Sequence, residues 1–313
     1  MSYSIIIPHY NLPDLLERCL KSIPVRSDIQ VIVVDDKSDD SNRTKIREIQ
    51  DIFPHVQFIF SEQNGGGGAA RNRGIAAAKG DYILFADADD YFVDGFDKLL
   101  DKYAISGNDI TYFNVDFVDE KGNSTTIQKN HVDNIMQIYK QDKASGEMLL
   151  RYSFGEPWCK MIRRELIIEH QIQFDETCIH NDTKFSYLTG FYAKSVSVCN
   201  TPIYKYLVRP ESVSRSISNE KILTRTKIFA EKNKFLIDHQ IPFFDKLLLA
   251  SFLYCKKTGK KDLYKECMEI ALQYGIKKRL IERKIFISKL RAFTQRQIKR
   301  IKNFLTFKWG SIF

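Results

Sequence analysis

Two patterns of apolar and polar positions alternate along the first hundred residues. Short β-branched runs at Ser4–Ile7, Gln30–Val34, Val56–Phe60 and Tyr82–Phe85 are continuous rather than alternating, which predicts strands buried on both faces. Between and after them, Leu12–Ser22, Asp39–Ile52, Ala69–Lys79 and Phe96–Tyr103 read as helices. Strand and helix in regular alternation predict an α/β fold, a mostly parallel sheet with helices on both faces. From Asp109 the pattern changes. Asp109–Val118 and Ser124–Gln128 flank a Lys-Gly-Asn turn and read as a hairpin, and short helices are expected near Ser145–Tyr152 and Arg163–His170. A strand-like Ser195–Val198 leads into Pro202–Leu207, and after Ser218 the chain reads as helical to its end.

Every early strand ends in polar residues: Pro8–Asn11, Asp35–Asp36, Ser61–Asn64 and Asp87–Asp90. Open α/β sheets bind ligands outside the carboxyl ends of their strands, so these four ends carry the candidate chemistry. Asp87-Ala88-Asp89-Asp90 places three carboxylates in four residues. Like charges pack together unfavourably unless a cation neutralises them, and hard divalent cations prefer oxygen ligands. In an extended segment Asp87 and Asp89 would face one side and serve one site, whereas a solvated acidic turn capping the next helix is the plain alternative. The stretch Gly65–Gly68 allows close backbone approach at a helix N-terminus, with Arg71 and Arg73 shortly beyond. Gly65-x-Gly67-x-x-Ala70 also matches a dinucleotide fingerprint, the basis of an NAD(P)-dependent oxidoreductase reading. That fingerprint normally follows the first strand of its fold, and here it follows the third. Tyr10 at the first strand end could stack on a base, and a carboxylate at the second could accept from an imide N–H.

The composition is that of an ordinary globular chain: 313 residues, 43% hydrophobic and 28% charged. The six cysteines are scattered without a C-x-x-C pair, which suggests neither a zinc site nor a disulfide framework. The opening MSYSIIIPHYN has no basic region before a long apolar run, and no stretch of the chain reads as a membrane span, so a cytoplasmic protein is expected. The net charge of +9 conceals an asymmetry. Residues 221–313 hold 23 Lys and Arg against 7 Asp and Glu, a net of +16, and the rest of the chain is at −7.

Four segments in order, SIIIPHYN (4–11), VIVVDDKS (31–38), NGGGGAARNRGI (64–75) and GDYILFADADD (80–90), together resemble the nucleotide-binding half of glycosyltransferase family 2, inverting enzymes of the GT-A fold, here of bacterial surface-polysaccharide type. The likeness continues through PWCKMIRR (157–164), with Cys159 where the family shows Gly, through Asn181-Asp182, where it shows Glu-Asp, and through YKYLVRPESVS (204–214). It implies a catalytic domain over residues 1–215 and does not cover 216–313, which charge and pattern alone mark as a basic, mainly helical region. The resemblance further implies that Asp36 and the Pro8, His9 and Tyr10 loop bind the nucleobase with Arg71, that Asp87 and Ala88 contact the nucleotide, and that Asp89 ligates Mn²⁺ or Mg²⁺. By the same resemblance, Asp182 is the base that deprotonates the acceptor hydroxyl, and Trp158, Lys160 and Arg209 lie near the sugar, acceptor or diphosphate. The partners so implied are a nucleotide-sugar donor, with UDP favoured, and a saccharide acceptor.

Residues 277–308 hold twelve Lys and Arg and one acid, Glu282, with apolar residues at near-helical spacing from Ile285 to Phe313. A helix of this kind suits an anionic membrane surface, which would place the protein peripherally on the inner face of the cytoplasmic membrane and would fit a lipid-linked acceptor. A helix packed on the protein with a solvated basic face is the alternative. Nucleic acid is not an expected partner, since no nucleic-acid motif is present. A non-catalytic nucleotide- or lipid-binding module remains the alternative to an enzyme should Asp182 lie far from Asp87 and Asp89.

Overall fold

The computed structural model describes residues 1–125, 129–209 and 217–290. The chain divides into two compact units, Met1–Ser216 and Ile217–Phe313.

The first unit is built on one eight-stranded sheet. Its strands are β1 (Tyr3–His9), β2 (Ile29–Asp35), β3 (Val56–Phe60), β4 (Tyr82–Phe85), β5 (Tyr91–Phe92), β6 (Ile110–Val118), β7 (Lys160–Arg163) and β8 (Val196–Leu207), in the order β3-β2-β1-β4-β7-β6-β8-β5. Strands β1 to β4 pair in parallel, as the continuous apolar runs predict, because both faces are covered. Ile5, Ile6 and Ile7 of β1 and Ile32, Val33 and Val34 of β2 are completely buried. The helices α1 (Pro13–Lys21), α2 (Asp40–Ile52), α3 (Gly66–Ala77) and α4 (Phe96–Ala104) supply that cover, each within three residues of its expected start.

Beyond β4 the sheet changes sense. Strand β7 runs antiparallel to both β4 and β6, and β6 pairs in parallel with β8. The expected hairpin is reduced to a single bridge between Val118 and Ser124, and residues 126–128 of its second arm lie outside the described residues. The expected strand at 195–198 and its continuation form one strand, β8. Helices α5 (Lys129–Gln141), α6 (Lys143–Tyr152), α7 (Arg164–Glu169) and α8 (Thr183–Tyr192) complete the unit.

The second unit contains α9 (Asn219–Asp238), α10 (Leu247–Thr258) and α11 (Lys261–Gln273), with further helix over 278–290. Phe229, Leu248, Phe252, Cys267 and Ile281 form its own core. The expected basic tail from residue 291, with Phe293 to Phe313, lies outside the described residues. Among the described residues no helix is long and apolar enough to cross a membrane.

Candidate active site

The carboxyl ends of β1, β2 and β4 gather the candidate residues of the first half. His9, at the end of β1, is buried. Leu12 N–H donates to its Nε2 at 3.1 Å, which leaves Nδ1–H to donate to Asp35 at 3.2 Å. The imidazole thus shapes the loop rather than facing a ligand, while Tyr10 beside it is 51% exposed and Pro8 is half-buried.

Asp36 is buried at 3% exposure, and the backbone N–H groups of Gly65 and Gly66 donate to its two carboxylate oxygens at 3.0 and 2.6 Å. Asn64 Nδ2 donates to the Asp36 carbonyl. The glycines therefore serve this strand end first. Gly66 sits at φ +80°, and a Cβ on Gly68 would meet the Asp175 carbonyl oxygen at 2.1 Å. The oxidoreductase alternative loses its footing here, since Asp36 already satisfies the first two amides of its fingerprint.

Asp87–Asp90 is a turn, not the extended segment expected from sequence, since Asp90 N–H donates to the Asp87 carbonyl at 3.0 Å. Nor does it cap the next helix, because β5 intervenes before α4 begins. The turn makes the carboxylates converge: one oxygen from each of Asp87, Asp89 and Asp90 lies within 4.8 Å of the others. Burial, then the charge of Asp87, holds the Asp89 carboxyl above the usual carboxylate range. Asp90 is pushed well up by burial and by both neighbours. One oxygen of Asp90 accepts from Leu207 N–H at 2.7 Å, and the other is buried without a hydrogen-bond partner among the described residues. An all-oxygen donor set of crowded carboxylates, one oxygen unmatched, fits a hard divalent cation. Arg209 pairs with Asp89, Arg18 donates to the Asp89 carbonyl, and Ala88 is buried between the acids. Asp90 was not among the expected site residues, although its sequence position beside Asp89 carried the signal.

Arg71 joins this turn to the candidate base. Its guanidinium donates to Asp87 at 2.6 Å and to Asn181 Oδ1 at 3.2 Å, and it lies 5.4 Å from the Phe174 ring centre. Asp182 follows Asn181 directly, in the N-cap position of α8 but without a side-chain capping hydrogen bond. Burial, then the charge of Glu156, pushes the Asp182 carboxyl up to about 6, against the pull of Arg71 and Lys160. Asp182 is thus the chain neighbour of a residue, Asn181, that shares the Arg71 guanidinium with Asp87 of the acidic turn.

Lys160, at the start of β7, is buried at 1% exposure, donating to the Phe154 carbonyl at 2.6 Å and to Ser186 Oγ at 3.2 Å. Trp158 is 5% exposed and stacks on Tyr204 at 5.9 Å, within an aromatic group that includes Phe117, Phe154 and Tyr206. Cys159 sits at φ +60°, in the left-handed region that favours the glycine its family shows there. Tyr204 is a second residue missed from sequence: its hydroxyl accepts from the Asp87 N–H at 2.8 Å.

Residues 4–171 match the sequence model of glycosyl transferase family 2, and the chain belongs to that family. It is 29% identical over 218 residues to the putative glycosyltransferase EpsH of Bacillus subtilis, covering 67% of this chain and 62% of that protein. It is 31% identical over 230 residues to the poly(ribitol-phosphate) beta-glucosyltransferase of Bacillus spizizenii, covering 70% of this chain and 34% of that one. The matched region thus spans less than two thirds of either relative. In three dimensions the chain shares the GT-A fold of S. aureus TarS 1-349, solved in complex with UDP-GlcNAc, with a TM-score of 0.64 at 20% identity over 90% of this chain and 83% of that one.

Proposed function

We propose that this chain transfers a sugar from a nucleotide-sugar donor, a UDP-sugar, to a saccharide hydroxyl with inversion, assisted by a divalent cation, in building a cell-surface polysaccharide. The observation that carries this reading is the Arg71 guanidinium, shared between Asp87 of the acidic turn and Asn181 beside Asp182. It supports a reading in which the donor-binding end and the base serve one cleft. The UDP-GlcNAc and UDP complexes of TarS support the choice of donor, and the likeness to the poly(ribitol-phosphate) beta-glucosyltransferase supports the polymer setting.

Asp182 takes the proton from the acceptor hydroxyl as that oxygen bonds to the anomeric carbon and the bond to the phosphate oxygen breaks. A positioned base near its working pH contributes roughly 10²–10⁴-fold. Attack from the face opposite the leaving group inverts the centre. Held by Asp89 with Asp87 and Asp90, Mn²⁺ or Mg²⁺ would supply charge neutralisation for the departing nucleoside diphosphate. Asp36 keeps lone pairs for a base N–H beyond the two glycine amides, with Pro8, His9 and Tyr10 forming the loop beside it. Arg71 holds Asp87 in place, Ala88 sets the turn against the nucleotide, and Arg209 exchanges Asp89 for the diphosphate. Trp158 and Lys160 support the sugar and acceptor side from beneath. The domain assignment follows: residues 1–215 form the catalytic domain and 216–313 the basic region, whose tail lies on the anionic inner face of the cytoplasmic membrane.

Thermal stability of the purified protein with UDP and Mn²⁺, separately and together, tests the donor site. A ligand at 100 times its Kd adds about 2.7 kcal/mol. The expected rise needs both ligands and is lost in Asp89→Ala; a rise with NAD alone would overturn the reading.

A further inference from the structure

Glu156 is a half-buried carboxylate that makes no hydrogen bond or ion pair among the described residues. Its loop is pinned to the start of α8 by one residue, Ser186. The Ser186 N–H donates to the Asp182 carbonyl at 2.9 Å, and its hydroxyl donates to the Gly155 carbonyl. Lys160 anchors the same loop through the Phe154 carbonyl. Glu156 is thereby held beside Asp182 with its carboxylate uncommitted. Tyr206, one pleat beyond Tyr204 on β8, is partly exposed and rests on Trp158, with ring centres 5.7 Å apart. Burial, then Asp90, Asp87, Asp89 and Glu156, push its hydroxyl upward, and Trp158 beneath the ring is two residues from Glu156.

We propose that Glu156 and Tyr206 form the acceptor subsite of this cleft, which takes a neutral polyhydroxyl unit, a pyranose or alditol, and rejects a phosphate at that position. The assignment rests on the sugar-transfer reading above. A carboxylate accepts from vicinal hydroxyls, and a charge-assisted bond of that kind is among the stronger hydrogen bonds. An aromatic face covers the C–H side of a sugar. The same carboxylate repels an anionic group, so any phosphate of the acceptor lies elsewhere. Glu156 also acts as a positioning residue through Asp182, since its charge raises that carboxyl while Arg71 and Lys160 oppose it. Glu156, Arg71 and Lys160 are the leading charges that act on Asp182.

Saturation-transfer NMR on the full chain with UDP and Mg²⁺ tests this, using methyl glucoside, methyl N-acetylglucosaminide, ribitol and ribitol 5-phosphate as probes. The wild type is expected to bind a neutral probe and to bind ribitol 5-phosphate more weakly than ribitol. Glu156→Gln is expected to weaken the neutral probe about tenfold and to erase the penalty on the phosphate, with UDP signals retained. Tyr206→Ala is expected to weaken the same probe and spare UDP. As a second readout, the acid limb of UDP-GlcNAc hydrolysis should move to lower pH in Glu156→Gln. No neutral probe bound beside UDP, or tighter binding of the phosphate, overturns the subsite. Loss of UDP binding in the wild type overturns the sugar-transfer reading instead.

Discussion

Both units bury charged side chains, but they settle those charges differently. In the second unit Lys232 and Asp245 are each nearly inaccessible and meet at 2.6 Å. Asn233 closes the group, donating to the Asp245 carbonyl and accepting from the Asp245 N–H. The charges cancel locally, and the network pins α9 to the turn before α10. In the first unit three carboxylates crowd one turn, a buried oxygen of Asp90 has no partner among the described residues, and Asp182 is held far above the ordinary aspartate range. Balanced burial marks structure. Unbalanced burial marks a place where ligands complete the electrostatics.

The sharpest test of this contrast is Asp182→Asn. It keeps size and hydrogen bonding but removes the base, so turnover should fall by roughly 10²–10⁴-fold with UDP affinity unchanged. Unaltered turnover in a steady-state assay would place the base elsewhere.

The second unit should respond in stability rather than in turnover. Lys232→Met leaves Asp245 buried without its partner, which should cost about 3–5 kcal/mol in urea unfolding of that unit. Adding Asp245→Leu should recover much of the loss, because an apolar pair leaves no charge stranded. A double variant no better than the single one would show that the network contributes more than neutralisation.

The pH profile follows from the sign of the Asp182 shift. Its carboxyl is raised to about 6, so it is protonated, and idle as a base, below that pH. The rate constant kcat/KM should therefore rise about tenfold per pH unit up to about 6 and level off above it. For stability the sign is opposite: a raised carboxyl favours the folded state at low pH, and that contribution fades as pH climbs through about 6. A profile limited near the ordinary aspartate value would separate Asp182 from the reaction.

The smallest effect is expected at Arg71→Lys. A lysine keeps the charge but cannot bridge Asp87 and Asn181 as a fork does. A several-fold loss of turnover with little change in melting temperature is the expected outcome. Full activity would mean that the bridge seen in the structure is not needed to align the two ends.

The parallel half of the sheet was legible in the chain because continuous apolar runs such as Ile5–Ile7 can only belong to strands covered on both faces. Strands β6 and β8 were legible too, but the short antiparallel strands β5 and β7 were not. Strand β7 has four residues, and β5 has two, too short for any periodicity to declare itself. Helix α8 was missed for the opposite reason: it is buried on most sides, with Thr183, Phe185, Ser186, Tyr187 and Thr189 all inside, so it shows little amphipathic contrast.

By itself the chain determined the order of strand ends and the residue types they carry, because a βα repeat must deliver each strand's carboxyl end to one side of the sheet. Local chemistry singled out Asp36, Asp87 and Asp89 at the strand ends, and only the family resemblance added Asp182. Only the tertiary structure decided how they act on one another. A turn rather than an extended strand brought Asp87, Asp89 and Asp90 together, Arg71 reached across 110 positions to Asn181, and Glu156 came to rest beside Asp182 through Ser186. Charges interact through space and not along the chain, so pairings and raised carboxyls of this kind exist only once the fold has set the distances.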